Sequence, residues 1–554
     1  MSIELKALMF DTQSIQRYIF SGNRLRTNIG ASYIVAKIFE EDLIEVLKKK
    51  FPNGVLQFTN KKKFSKDGLS LTNEEKKENA EWQECIKLTQ PLTHSCVIGY
   101  IGGGKALVLL RMDTREGIEK EIVYEFSRSL LLNYPGLHTG AAFAVVCGET
   151  PEEIKAEIRN KVQNALKRNQ NNILPDVNLP YTGLTLACPV NGETASFYDN
   201  KNKISRKKQH FFSHETRAKA LAAYDAEEKL KDAFWSIAES YAFPDELEKL
   251  GQPEGENYIA IVHIDGNQMG KKFDKCDTIG KQASKSEIIA NKVEHTFKNL
   301  LETIVKEYDT YNEYLHLDAA KGDRQFLPIR PLILGGDDIT FVCSGKLALT
   351  YAQRFIQLFR QKDNSIAEDE AIDSCGGIAI LPTAYPFFRG YQLTEQLCDA
   401  AKKESRKIEG SCWLDFAILH GEQAPILEQI RAQEYTSAQG ESGAMHFGPY
   451  RVDEDNCTGS LSNLVQWMEN MHKMLTSKEK KQAFPRNKLK EMRQVLQESS
   501  HDCVKFMEQL QHMGYVLPDI PAWEKYQTRL WADGKTPFVD AIEMMDYMPW
   551  KKGM

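Results

Sequence analysis

Apolar residues recur along this chain with two periods, and the two alternate. Unbroken apolar runs of strand length occur at Leu5–Phe10, Cys96–Tyr100, Ala106–Leu110 and Ala141–Val146. Between them the spacing is helical: Ile34, Ile38, Leu43 and Ile44, then Ile118, Ile122, Phe126 and Leu130, then residues 152–169. The same alternation returns further on. Strand-length runs at Tyr258–Ile264, Leu332–Cys343 (broken at Gly335-Gly336), Ile378–Leu381 and Trp413–Leu419 enclose helical stripes. These stripes run through Ile289, Val293, Phe297, Leu300 and Ile304, through Tyr351, Phe355 and Leu358, and over residues 391–408. Residues 171–250 are polar and then rich in Lys, Ala and Glu, which predicts a linker with a small helical module. The Lys-rich stretch 60–80 predicts a solvated loop. Beyond residue 455 the spacing is helical, through Leu461, Leu464, Trp467, Met468 and Met471.

The two alternating blocks read as copies of one unit. Each opens with a strand ending in an acid, Phe10-Asp11 and Ile264-Asp265, and each has a glycine-rich hairpin, at Gly102 and at Gly335. The hairpin glycine precedes a Gly-led apolar strand by 38 residues in the first block and 41 in the second; a helical Lys follows 27 or 26 residues later. Matched order with nearly matched spacing argues for duplication. The order β–α–β–β–α–β predicts a ferredoxin-like antiparallel sheet with helices on one face, used twice.

Composition narrows the class. The chain has 554 residues, with 71 Lys+Arg against 77 Asp+Glu and a net charge of −6, so a globally basic nucleic-acid coat is excluded while a local basic groove is not. Eleven cysteines without repeated spacing predict reduced thiols and a cytoplasmic protein. No apolar run reaches transmembrane length, which predicts no membrane partner.

The copies differ where chemistry would sit. The second hairpin reads Gly335-Gly336-Asp337-Asp338; the first reads Gly102-Gly103-Gly104-Lys105, without an acid. Glycines allow a tight turn and close approach of backbone to a ligand, which makes Gly335 and Gly336 candidate nucleotide contacts. Asp265 ends a strand that would pair beside this hairpin, so three carboxylates would cluster. Clustered carboxylates call for a cation, and an all-oxygen set favours Mg²⁺ or Mn²⁺ over zinc. After Asp265 comes Gly266-Asn267-Gln268-Met269-Gly270, a glycine-containing strand-to-helix turn that can offer N–H groups to phosphate. Lys402 and Lys403, on the helix after the next strand, are candidates to neutralise a triphosphate. The set points to a nucleoside triphosphate with divalent metal.

These motifs carry a resemblance. Phe10-Asp11 through Phe20, Leu25-Arg26 with Gly30-Ala31-Ser32, Tyr100-Ile101-Gly102-Gly103-Gly104, Ile264 through Gly270, Leu334 through Asp338 and Gly377 through Ile380 resemble the large polymerase–cyclase subunit of type III CRISPR effector complexes, a two-palm family. The resemblance implies an α+β chain with two ferredoxin-like palm domains forming a pseudo-dimer, at 1–170 (degenerate) and 251–420 (active), a helical linker module at 171–250 and a helical C-terminal domain at 421–554. It implies cyclic oligonucleotide synthesis from ATP or another NTP, with pyrophosphate release and two metal ions on Asp265, Asp337 and Asp338. Gly266, Asn267 and Gly270 would cradle phosphates, Lys402 or Lys403 would grip the γ end, and the first palm would hold the partner nucleotide. Effector subunits and guide or target RNA are the implied partners. Relatives often carry a histidine–aspartate nuclease domain and a Cys-x-x-Cys zinc module. Here the only His-Asp pair is His501-Asp502, and Cys188-Pro189-Val190-Asn191-Gly192 has one cysteine of two, so neither DNase nor zinc is expected. Some relatives have Asp where Asn267 stands. The alternative reading is a catalytically silent nucleotide-binding scaffold subunit.

Overall fold

Two antiparallel-based sheets dominate the computed structural model, and both have the same strand order. Residues 2–58, 73–171, 181–199, 204, 211–251, 256–317, 324–362, 371–421, 426–437, 443–479, 483–498 and 500–550 are described. The first sheet holds β1 (Ile3–Gln13), β2 (Val55–Leu56), β3 (Cys96–Gly102), β4 (Lys105–Arg111) and β5 (His138–Gly148), in the order β2-β3-β4-β1-β5. The second holds β6 (Tyr258–Gly266), β7 (Ile329–Gly335), β8 (Asp338–Ser344), β9 (Ser374–Pro382), β10 (Trp413–Ile418) and β11 (Tyr450–Arg451), in the order β7-β8-β6-β9-β10-β11. With β2, β10 and β11 set aside, each sheet runs hairpin, first strand, last strand. This is the ferredoxin-like order the pattern predicts.

The helices are α1 (Leu25–Lys37), α2 (Asn73–Cys85), α3 (Ile118–Asn133), α4 (His214–Ala233), α5 (Ile279–Lys306), α6 (Ala348–Arg360), α7 (Phe387–Ser405) and α8 (Phe538–Met545), with shorter ones between. Helical backbone continues from α1 to Lys50, and a further helical run covers residues 151–170. The expectation of helices on one face is corrected. On one face of the first sheet, Leu8, Phe10 and Val108 pack with Ile34, Ile38, Phe126 and Leu130 of the helices that follow β1 and β4. On the other, Leu5, Met9 and Leu109 pack with Trp82, Ile154, Val162 and Ile279. Strands buried on both faces read as unbroken apolar runs, which is why the sequence showed runs rather than alternation.

Two other expectations change. The helix α2 begins at Asn73, inside the 60–80 stretch expected to be a loop; Trp82 and the following Ile86 are the apolar pair that docks it. The expected loop residues before 73 lie outside the described residues. The linker module is not purely helical: Phe197–Tyr198 pairs with Phe211–Phe212, and Tyr241–Ala242 with Gln325–Phe326. In addition, the second sheet continues past residue 420, because Tyr450–Arg451 pairs with β10.

Reciprocal contacts join the copies. α5 of the second packs against β3 of the first, and α1 of the first packs against β7 of the second, so each copy lays its first helix on the other's hairpin. Ser32 Oγ on α1 donates to the carbonyl of Leu332. α4 braces α1 so closely that a Cβ on Gly30 would stand 1.7 Å from the Lys219 carbonyl oxygen. Both copies also leave the first strand the same way. Three residues beyond the terminal Asp, Ser14 (φ +50°) and Gln268 (φ +56°) are left-handed, and each starts a six-residue helix. Among the described residues no helix is long and apolar enough to cross a membrane, and all eleven cysteines are free thiols.

Candidate active site

Asp265 is the penultimate residue of β6 and Asp338 the first of β8, and the antiparallel register sets these two residues opposite each other. Two residues further in, His263 faces Thr340. Side chains two apart on a strand share a face, so Asp265, Asp338, His263 and Thr340 form one polar patch on an otherwise apolar sheet. α7 lies over it: the Tyr391 ring meets the His263 ring edge-on at 5.7 Å, and Lys402, three helical turns along, reaches Asp265. Phe20 of the first copy packs on Tyr391 with centroids 4.0 Å apart and the rings tilted by 30°. The patch is therefore backed by both copies.

The hairpin brings the third acid. Gly336 has φ +63° while Asp337 does not need a left-handed backbone, the signature of a turn with glycine at its first central position only. Asp337 folds back on the strand end: its carbonyl accepts the Gly266 N–H at 3.1 Å. A Cβ on Gly266 would come within 3.0 Å of both the Asp337 Cβ and the Met269 Cγ, so a side chain there would push the acidic turn away from β6.

Electrostatics follow from this crowding. Burial, and then the nearby Asp265 carboxylate, pushes the Asp337 carboxyl up to about 6. Burial opposes the charge on Lys402, but Asp265 more than compensates and holds the ammonium above its usual value. His263 behaves likewise: burial disfavours its proton, yet Asp338, with its Oδ1 3.3 Å from Nδ1, raises it well above the usual imidazole value. Nδ1 also lies 3.2 Å from Thr340 Oγ1. Among the described residues no three His, Cys, Asp or Glu side chains converge as a ready-made ligand set, because Asp265 is turned to Lys402 and Asp338 to His263. The donor chemistry nonetheless fits a hard divalent cation. Asp265, Asp337 and Asp338 supply only oxygen donors at one strand end and its turn, and Asp337, raised by burial first and by Asp265 second, is the carboxyl whose ionisation a bound cation would favour.

Other sequence-derived site residues divide. Gly335 is exposed at the end of β7, and Gly336 is the turn residue. Gly270 is exposed with open space beside it, in a helix whose first turn has no side-chain cap. Lys403 is exposed, while its neighbour Lys402 is the one on the acids. Asn267 and Gly266 depart from the phosphate-cradle expectation. The Asn267 side chain turns inward, donating to Ser405 Oγ at 2.9 Å and the Ser411 carbonyl at 3.0 Å, and its N–H is taken by the Asp373 carbonyl at 2.8 Å. The Gly266 N–H is likewise committed, to Asp337. Sequence reasoning missed His263. The signal was there, as a histidine inside an apolar strand, two residues before the acid and hence on its face.

A cavity of about 710 Å³ opens beside Met269. Trp82 and Ile86 of the first copy form one wall; Met269, Cys276 and Ile288 of the second form the other, with Lys272, Lys275 and Lys285 at its rim. Met269 is shared with the acidic turn, so cavity and acids adjoin.

The corresponding place in the first copy is built differently. Lys105 occupies the register position of Asp338, opposite Asp11 and 3.8 Å from its Oδ2, and Gln170 donates to the same oxygen at 2.9 Å. Gly103 (φ +58°) and Gly104 (φ +73°) both need left-handed backbone, so no acid stands in that turn. Ile15 fills the space beside Gly104.

Comparisons with known proteins agree with this anatomy. Residues 258–409 match the family model for the second palm domain of Cas10/Cmr2. No curated protein matches. Among solved structures, a Csm1–Csm4 cassette in complex with AMPPNP is 11% identical, with 99% of this chain and 70% of that chain covered and a TM-score of 0.51. Csm1 from T. onnurineus is 13% identical, over 99% and 70%, again at 0.51. A Csm1–Csm4 cassette in complex with cA4 gives 10%, 99%, 70% and 0.51. The fold and the acid-bearing hairpin thus define a two-palm protein with one acidic palm. Residues 258–409 match the second palm of Cas10/Cmr2, and the whole chain shares its fold with the large subunit Csm1.

Proposed function

We propose that this protein is a metal-dependent nucleotidyltransferase that joins nucleoside triphosphates, ATP in the first instance, into a cyclic oligonucleotide and releases pyrophosphate. One observation carries the reading. The second palm concentrates Asp265, Asp337 and Asp338 at one strand end, whereas the first palm has Lys105 in the matching register position. Such asymmetry suits one catalytic half and one nucleotide-holding half. The three aspartates would hold Mg²⁺ or Mn²⁺, which when bound would activate a ribose hydroxyl and steady the leaving pyrophosphate. Lys402 would exchange Asp265 for the triphosphate, and the open turn at Gly270 gives phosphate a way in. The 710 Å³ cavity is within the usual size of small-ligand sites and would take a base against Trp82 and Met269. The similar structures bear AMPPNP, ATP and cyclic oligoadenylate in their Csm1–Csm4 cassettes, which supports ATP as substrate and a type III CRISPR effector as context, with partner subunits and guide or target RNA.

A second reading has its own observation. Two of the three acids already have protein cations, Lys402 and His263, as they would in a nucleotide-binding scaffold that does no chemistry. Incubation with each NTP and Mg²⁺ or Mn²⁺, followed by product mass spectrometry, separates the two. We expect oligonucleotide product from ATP and at least a hundredfold loss in the Asp337→Ala, Asp338→Ala double variant. Nucleotide binding without product, even with target RNA and partner subunits added, would leave the scaffold.

A further inference from the structure

The second sheet has a buried polar pair that the first sheet lacks. Two residues inward from Asp265 and Asp338, His263 on β6 faces Thr340 on β8. They are 6% and 0% exposed. Two residues inward from Asp11 and Lys105, the same register step of the first sheet sets Met9 opposite Leu107, both buried and apolar. This layer of the sheet therefore packs well without polar groups. Burying an imidazole and a hydroxyl there costs free energy unless they are bonded, so what they touch has to account for them. The polar pair stands behind the aspartate hairpin, and the apolar pair stands behind the lysine.

What they touch is one oxygen of Asp338. His263 Nδ1 lies 3.3 Å from Asp338 Oδ1 and 3.2 Å from Thr340 Oγ1, and the Thr340 hydroxyl lies 3.5 Å from the same Oδ1. Among the described residues nothing takes Oδ2. The imidazole is itself held: the Tyr391 ring of α7 meets it edge-on at 5.7 Å, and Phe20 of the first copy packs behind Tyr391. A counter-charge alone would need neither a fixed ring nor a hydroxyl. Lys402 serves Asp265 on a long, flexible stem. A carboxylate gripped through one oxygen by a rigid donor pair, with the other oxygen left over, is how metal-ligating carboxylates are oriented.

We propose that His263, with Thr340, is a positioning residue for Asp338: its Nδ1–H holds Oδ1 and leaves Oδ2 free to bind the divalent cation. This rests on the metal site proposed above. The test is titration of the full, EDTA-stripped chain with Mn²⁺, free Mn²⁺ being read by electron paramagnetic resonance. It is run with Mn²⁺ alone and with α,β-methylene-ATP, which cannot release pyrophosphate. His263→Phe keeps a ring against Tyr391 and removes the donor; His263→Asn removes the ring and keeps an N–H donor near the place of Nδ1. We expect Mn²⁺ affinity to fall about tenfold or more in His263→Phe and to be largely restored in His263→Asn. A packing role predicts the opposite order, and a counter-charge role predicts equal or tighter binding in both variants. Either result, or an equal loss in the two, would overturn the proposal. Thermal melting checks that each variant is folded. Should the His263 variants fail to fold, Thr340→Val, which keeps the shape and removes the hydroxyl, is expected to weaken Mn²⁺ binding, and unchanged affinity there would overturn the proposal in their place. The parent chain tests the metal site itself: no Mn²⁺ binding by the parent would remove that site and this inference together. Binding by the parent with the variants in the wrong order would remove this inference alone.

Discussion

Asp337 sits in a turn that forces it back over Gly266, and its position has a thermodynamic signature. Its carboxyl is pushed up to about 6 by burial and by Asp265, whereas an unfolded chain would titrate it near 4. A carboxyl raised on folding binds its proton more tightly in the native state, so ionising it costs stability as pH rises from about 4 to about 6, and the cost stays above that range. Asp337→Asn should therefore stabilise the metal-free protein by roughly 1–3 kcal/mol at pH 7.5 and make little difference near pH 4. Melting temperatures of both forms in EDTA at the two pH values measure this. A gap that is the same at both pH values would mean the carboxylate is relieved by something other than protonation. Added Mg²⁺ should shrink the gap at pH 7.5, because the cation would compensate the charge that only the aspartate carries. An acid kept at a cost to stability is the usual condition of a site retained for binding or chemistry.

At the scale of elements, what was readable in the sequence divides by distance along the chain. The acids and the hairpin were legible because turn chemistry and strand period are local: Gly336 and the Asp265 strand end announce themselves within ten residues. The inward turn of Asn267 was not, because its partners Ser405 and Ser411 lie 138 and 144 residues away. α2 was missed for a different reason. It is polar almost throughout and is docked by two side chains, Trp82 and Ile86, too few to make a stripe. Gly30 is the clearest case of hidden long-range need. It reads as an ordinary glycine in a helical segment, where Ala would be favoured by propensity. In the folded chain it lets α1 approach α4, and a methyl there would meet the Lys219 carbonyl and the Ala223 N–H. Both are helix backbone, so neither can swing aside. Gly30→Ala should destabilise by about 3 kcal/mol despite the better helix former. A drop of several degrees in melting temperature is the expected outcome, and an unchanged or higher value would show that the two helices can separate freely.

The whole molecule is bound together by one continuous apolar core that runs from the first sheet through the second into the C-terminal helices, and by one buried polar network that crosses the same join. His446 lies between two aspartates: Nε2 is 2.8 Å from Asp415 Oδ1 on β10, and Nδ1 is 2.9 Å from Asp540 Oδ1 on α8. Asp540 also accepts from the Tyr450 hydroxyl at 2.6 Å and the Phe447 N–H at 2.8 Å, and Arg431 reaches Asp415 at 3.1 Å. Burial and Arg431 oppose a charged His446, but the two carboxylates outweigh them and raise it. Burial would raise Asp540, yet His446 holds it below the usual carboxylate range. The signs then fix a window. The depressed Asp540 contributes stability above about pH 4 that is lost as pH falls through its folded value, and the raised His446 contributes stability below about pH 6.5 that is lost as pH rises through its folded value. Asp540→Asn leaves the buried imidazolium only one of its two carboxylates, Asp415, and replaces a charged acceptor of the Tyr450 and Phe447 hydrogen bonds by a neutral amide, which should cost about 3 kcal/mol. Because the chain has several cooperating parts, the melting profile is a better measure than a single free energy. Between pH 4.5 and 6 the variant should melt well below the parent, with the C-terminal helices leaving the second palm in an earlier, separate step. As pH rises through the folded value of His446 the gap should narrow without closing, since the hydrogen bonds from Tyr450 and Phe447 persist when the imidazole is neutral. A gap indifferent to pH would assign the join to apolar packing alone and reduce the network to a passenger.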